Sequence, residues 1–311
     1  MGFSYEWKKT LNAGSREYSD KDSIEINEGS IQKIYAFFYT IMARGKILGR
    51  EKEEHHIIHM NLISHNSIKE DIVVPIFFCG SADRNNIAEY MARFAIEFLI
   101  GHEIGHAYNG HTKYYSSIIK QLSKEMYRDE KERLILDLQT LEMDADAYGI
   151  NRVLEQAVGL IENSDKIIQI LKQKESIFEL VCYAVHGLFY ILREEHGYND
   201  IEKYKEKLHP PKFVRECLIY GSLNKHLKFI NTKNNTKYLY NFMGNHIGSI
   251  EHNICDAMEY NNAEYIQFIK ENSQVMQEHV IKIEKNWEKV AQIIKQESRL
   301  PIEGIDYNWN P

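Results

Sequence analysis

Apolar residues three and four apart recur along most of this chain, while strict alternation is confined to short runs, so the pattern predicts an α+β, predominantly helical fold with a small sheet. Residues 24–43 read as a strand-like entry followed by a helix carried by Ile31, Ile34, Phe37, Phe38 and Ile41. His55–His65 and Asp71–Phe78 read as strands, the second more strongly because it is β-branched and aromatic, and Pro75 suits an edge position. Ala88, Met91, Ala95, Phe98 and Leu99 form one helical stripe within 87–110 that runs on into His102 and His106. Another helix runs through Leu134, Leu138, Leu141, Ala145 and Tyr148, after a charged, exposed segment from Lys124 to Arg133. Further helices are predicted at 151–173, 176–194, 212–222 and 262–298, with Asn231–Thr236 as a loop or boundary. Two units follow: residues 1–225, and a helical C-terminal extension over 226–311 that packs on the first or mediates interaction.

Composition narrows the function classes. At 311 residues and 43% hydrophobic the chain can build one large domain or two ordinary ones. Its 38 Lys and Arg against 45 Asp and Glu, a net charge of −7, provide no cationic field for a phosphate backbone, so nucleic acid is not expected as a partner. The start, MGFSYEWKKTLNAG, has no apolar run of signal-peptide length, and the longest apolar stretch, Ile177–Leu192, holds Glu179 and His186. A buried helix is expected there rather than a membrane span, and a cytoplasmic location for the protein. Cys79, Cys182, Cys217 and Cys255 are scattered without a CxxC pair, as reduced thiols would be.

The chemistry lies in Gly101-His-Glu-Ile-Gly-His106. Histidines four apart on a helix leave from nearly one face and can grip one ion. Glu103 sits about 100° round the axis from His102, close enough to touch a water on that ion without ligating it. That is the spacing of a zincin active site, with Zn2+ as the expected cofactor. Gly101 and Gly105 each cost about 1 kcal/mol relative to alanine inside a helix, which suggests a close backbone approach, and Gly110 is a plausible stop.

A catalytic zinc needs a third protein ligand and one open position. In Leu141-Glu-Met-Asp-Ala-Asp146 the carboxylates of Glu142 and Asp146 are one turn apart, whereas Asp144 points roughly 200° away from Glu142. Either of the pair can ligate while the other accepts the free ring N–H of a histidine; Glu142 is taken as the ligand and Asp146 as its support. His111 is a further candidate, as an outer support or as a fourth ligand of a purely structural site. In His209-Pro-Pro-Lys-Phe-Val-Arg215 the prolines lead rigidly into a helix, and His209 or Arg215 could stabilise a developing oxyanion. Tyr148 is a further candidate donor. His55, His59 and His65 read as a polar strand face with His56 pointing away, and His186 as a hydrogen-bonded core residue.

In this order the three elements resemble zinc endopeptidases of the gluzincin type: the HtpX-like and CaaX-processing peptidases and, most closely, the soluble Lit-like phage-exclusion peptidases. Their motifs look like HExxH-x3-NGH, E-x-x-A-D and HPP-x3-R; the likeness covers about residues 70–220, with Asn109-Gly-His111 slightly shifted. The resemblance implies zinc on His102, His106 and Glu142, Glu103 as catalytic base, Asp146 behind the ligands, and His209 and Arg215 at the site. It implies a metallopeptidase domain at 1–225 acting on a soluble protein or peptide, with a weaker suggestion of phage defence. The alternative is a zinc-containing defence or regulatory binding protein without turnover. An extended substrate is expected to lie along the edge strand at Asp71–Phe78.

Overall fold

The buried spacing of Ile34, Phe37, Phe38 and Ile41 is met, in a computed structural model of the chain, by helix α1 (Glu28–Arg44), which follows strand β3 (Lys21–Asn27) directly. The structure describes residues 2–6, 8, 12–18, 21–62, 72–163, 165–173, 176–192, 206–230 and 248–299. Two strands precede β3: β1 (Gly2–Glu6), parallel to it, and β2 (Ala13–Tyr18), antiparallel to it, in the order β1-β3-β2. Ile24 and Ile26 of β3 are the buried anchors of this sheet, packed against Ile100, Ile104 and Ala107. A second sheet is the antiparallel pair β4 (His55–Leu62) and β5 (Ile72–Cys79), with Pro75 opposite His59.

The helices confirm a mainly helical α+β architecture. They are α2 (Ala82–Tyr108), α3 (His111–Leu122), α4 (Arg128–Glu162), α5 (Lys166–Leu171), α6 (Ser176–Ile191), α7 (Lys212–Ile230) and α8 (Ala263–Ile294), with residues 248–257 also helical. Sequence periodicity split α4 in two; it is one helix whose buried face changes core along its length. Leu134, Leu138 and Leu141 join Val214, Leu218, Met276, Ile283, Trp287 and Val290 in one cluster. Ile150, Val153, Leu154 and Ala157 join α1, α2 and α6 in the other. Each fully buried side chain of this kind contributes roughly 1.5–3 kcal/mol, so both ends of α4 are firmly held. The acidic run at 142–146 lies where the helix passes from one core to the other.

Gly110 separates α2 from α3 in the left-handed region, at φ +78°, and a Cβ there would stand 2.7 Å from the backbone carbon of Glu297, so the predicted stop is also a contact point. α8 docks on α4 through Asp137, whose carboxylate accepts from Lys289 at 2.6 and 2.7 Å, Asn286 at 2.8 Å and Tyr114 at 2.8 Å. The apolar stretch at 177–192 is buried in α6, and no helix among the described residues is long and apolar enough to cross a membrane. All four cysteines are free thiols. The loop read at Asn231–Thr236 and His65 lie outside the described residues.

Candidate metal centre

The imidazoles of His102 and His106 leave one face of α2, and glycines bring an acid opposite them where α2 crosses α4. A Cβ on Gly101 would stand 3.0 Å from the Gly149 Cα, and one on Gly105 would stand 3.0 Å from the Tyr148 Cβ and 3.1 Å from the Ala145 Cα. On Gly149 it would meet the Phe98 carbonyl oxygen at 2.9 Å. The helix propensity these residues give up, about 1 kcal/mol each, allows the two backbones to touch. Glu142 is thereby laid across both rings.

Three residues converge, Glu142 turning one oxygen towards each ring. His102 Nε2 and His106 Nε2 are 3.1 Å apart, Glu142 Oε1 is 3.3 Å from His106 Nε2, and Glu142 Oε2 is 3.5 Å from His102 Nε2. Ligands about 2.0–2.1 Å from a tetrahedral zinc are separated by about 3.3 Å, so each of these separations is close to that spacing, with one Glu142 oxygen facing each ring. All three residues are buried, and they form a group able to hold a metal ion. Glu142 Oε2 is sealed from solvent without a hydrogen bond among the described residues; His209 Nδ1 stands 3.0 Å away but off the hydrogen-bonding line. A buried carboxylate oxygen left so, beside two inward-facing imidazole nitrogens, fits a cation.

The choice between Glu142 and Asp146 is made by which ring nitrogen each faces. Asp146 Oδ1 lies 2.9 Å from His102 Nδ1, on the side of the ring away from Glu142, and so supports the histidine. Arg215 holds Asp146 with two donors, Nε to Oδ2 at 2.8 Å and Nη2 to Oδ1 at 2.6 Å, while its Nη1 is 3.6 Å from Glu142 Oε2. Burial alone would push the Asp146 carboxyl up, but the Arg215 charge and hydrogen bond outweigh it and hold it below the usual range. Burial acts likewise on Glu142, where the His209 charge and a His106 hydrogen bond outweigh it and keep the carboxyl well below its ordinary value.

His111 is wholly buried, with Nδ1 3.0 Å from His106 Nδ1 and Nε2 3.1 Å from Asp144 Oδ2. It therefore meets the outer nitrogen of His106, and the reading of it as a fourth ligand is set aside. Burial lowers its pKa despite Asp144, so the ring is neutral. Asp144 also accepts from Asn109 Nδ2 at 2.5 Å. Sequence geometry turned Asp144 away from Glu142, and it does turn away, but towards His111 rather than solvent.

The centre opens into a cavity of about 740 Å³, within the size range of small-ligand sites. His102, Glu103, Glu142, His209 and Arg215 line it, together with apolar side chains including Phe98, Phe189, Phe268 and Ile269. Among the described residues no hydrogen bond or ion pair ties up the Glu103 carboxylate, which borders the cavity. The contribution of α8 to this wall left no mark in the sequence pattern that could be tied to the site.

Other expectations fall away from the centre. Among the described residues none of β5 lines the cavity; Ala13, the first residue of β2, does. The expected strand was chosen for β propensity, which says nothing of proximity. Tyr148 packs against Gly105 at the helix crossing and does not line the cavity, so it is not the donor sought. His55, His56 and His59 are exposed on β4, and among the described residues they form no metal-binding group. His186 is buried and paired to carboxylates, as a core histidine should be. Comparison with protein-family models, curated proteins and solved structures finds no match to this chain.

Proposed function

We propose that the chain is a zinc-dependent endopeptidase with a zincin-like catalytic core, acting on a soluble intracellular protein. The observation that carries the reading is the convergence of His102 Nε2, His106 Nε2 and a Glu142 oxygen beside the untethered Glu103 carboxylate at a cavity wall. A divalent ion held by these three residues supplies Lewis acidity, which makes water nucleophilic near neutral pH and polarises a carbonyl.

The chain's own groups do the rest. Glu103 accepts the proton of the attacking water and returns it to the leaving amine, a role worth typically 10²–10⁴-fold in rate. Arg215 has committed Nε and Nη2 to Asp146, so it acts by positioning, and His209 at the cavity wall is left as the donor for the developing oxyanion. β2 is an outer strand of its sheet and reaches the cavity at Ala13, which offers an extended substrate a backbone edge to pair with.

The test compares wild type with Glu103→Gln by metal analysis and by mapping new protein N-termini after expression of each. One zinc per chain in both, with new termini only for wild type, supports the peptidase. Zinc in both and new termini in neither leaves a zinc-containing binding protein, and absence of zinc removes the reading altogether.

A further inference from the structure

The two histidines are steadied by different devices. His102 Nδ1 meets a carboxylate directly, at 2.9 Å from Asp146. His106 Nδ1 meets another imidazole, at 3.0 Å from His111 Nδ1, and only beyond that ring does a carboxylate appear. We infer that Asp144, acting through His111, is a positioning residue that sets the zinc affinity of the site by fixing which nitrogen of His106 carries its proton. The inference rests on the zinc reading of His102, His106 and Glu142.

The proton count forces the chain of influence. To offer a lone pair at Nε2, neutral His106 must keep its proton on Nδ1. That proton faces His111 Nδ1, which can accept it only if the His111 proton sits on Nε2. His111 Nε2 is sealed from solvent and 3.1 Å from Asp144 Oδ2, off the hydrogen-bonding line, with no other partner among the described residues. The carboxylate favours a proton at that position and disfavours the opposite tautomer, which would place a lone pair beside a negative charge. In the opposite arrangement His106 would carry its hydrogen on Nε2, 3.1 Å from His102 Nε2 and 3.3 Å from Glu142 Oε1, bonding the very carboxylate that would share the ion and leaving no lone pair for it. Asn109 holds Asp144 in place from the end of α2. Asp144 thus selects the ligating form of a histidine it does not touch.

Zinc dissociation constants measured by competition with a chromophoric chelator test this, with the visible spectrum of the cobalt-substituted protein as a geometric readout and thermal midpoints of the metal-free proteins as the control for folding. His111→Leu and Asp144→Ala should each weaken zinc by 10–100-fold, the usual effect of losing a partner behind a metal ligand. His111→Gln, whose amide oxygen can accept from His106 Nδ1–H, should stay within about threefold of wild type. Wild-type affinity in His111→Leu, or an equal loss in His111→Gln and His111→Leu, overturns the relay while leaving the zinc site standing. A wild-type protein that takes up no zinc overturns the metal reading and the relay together. Should Asp144→Ala fail to fold, Asp144→Leu, which fills the space without an acceptor, takes its place, and wild-type zinc affinity in a folded Asp144 variant overturns the role of Asp144.

Discussion

Two buried clusters in this protein combine histidine with carboxylates, and they are built to opposite ends. At the crossing of α2 and α4, two imidazoles turn Nε2 towards each other and towards Glu142, and the cluster borders a cavity. In the core, His186 of α6 has a carboxylate on each nitrogen: Glu251 of the 248–257 helix at 2.7 Å and Glu216 of α7 at 3.3 Å. Burial would lower the His186 pKa, but Glu216 and Glu251 outweigh it and push it up to about 9. That ring is hydrogen-bonded through Nε2 to Glu251 and faces Glu216 through Nδ1 off the hydrogen-bonding line, an ion-pair cluster that joins three helices. The same residue types therefore read as a candidate metal site or as a staple according to whether the ring nitrogens converge on one point or each face a separate carboxylate.

Substitutions should separate the two clusters. The largest effect is expected from the His106→Ala, Glu142→Ala double variant, which removes two of three ligands and should cut zinc binding by roughly 6 kcal/mol, about 10⁴-fold. Equilibrium dialysis against zinc measures it, and retained uptake would mean the ion sits elsewhere. His186→Leu should instead leave zinc uptake per folded molecule unchanged while lowering stability in urea by about 3–5 kcal/mol, because two carboxylates are left buried without their cation. A comparable loss of zinc in that variant would couple the two clusters through the adjacent Arg215 and Glu216 of α7.

Acidity sharpens the contrast further. Because the folded-state pKa of His186 is raised from 6.5 to about 9, its contribution to stability is fully present below pH 6.5 and is lost as pH rises through about 9. Urea midpoints should fall over that window by the equivalent of up to about 3 kcal/mol in wild type, and this component should be missing from His186→Leu. A smaller effect, about 2 kcal/mol, is expected for Gly149→Ala, whose Cβ would meet the Phe98 carbonyl oxygen at 2.9 Å and His102 N at 3.2 Å and so part α2 from α4. Zinc affinity should weaken with it. Gly159→Ala, further along α4 with nothing within 4 Å, should leave zinc affinity unchanged and stability equal or slightly higher.

The helix carrying His102 and His106, the acidic turn and the Gly110 stop were legible because each rests on local geometry: four residues along a helix is one face, whatever packs on it. His209 and Arg215 were legible as partners of the centre, but the division of labour between them was not, since the commitment of Arg215 to Asp146 depends on how α7 meets α4. β2 escaped notice because none of Ala13-Gly-Ser-Arg-Glu17 is buried, and its place is set by pairing with β3. α3 was likewise passed over, and α4 was cut short at Tyr148 because its apolar stripe changes core partners there. Asp144 could be aimed from the sequence but not assigned, because its target, His111, lies on another helix.

The most direct test of the centre is anomalous diffraction at the zinc edge from crystals grown with zinc. One strong peak within about 2.0–2.2 Å of His102 Nε2, His106 Nε2 and a Glu142 oxygen, with a solvent oxygen completing the coordination, is the expected result. A peak held by Asp146 or His111 in place of Glu142, or no peak between the two imidazoles, would contradict it.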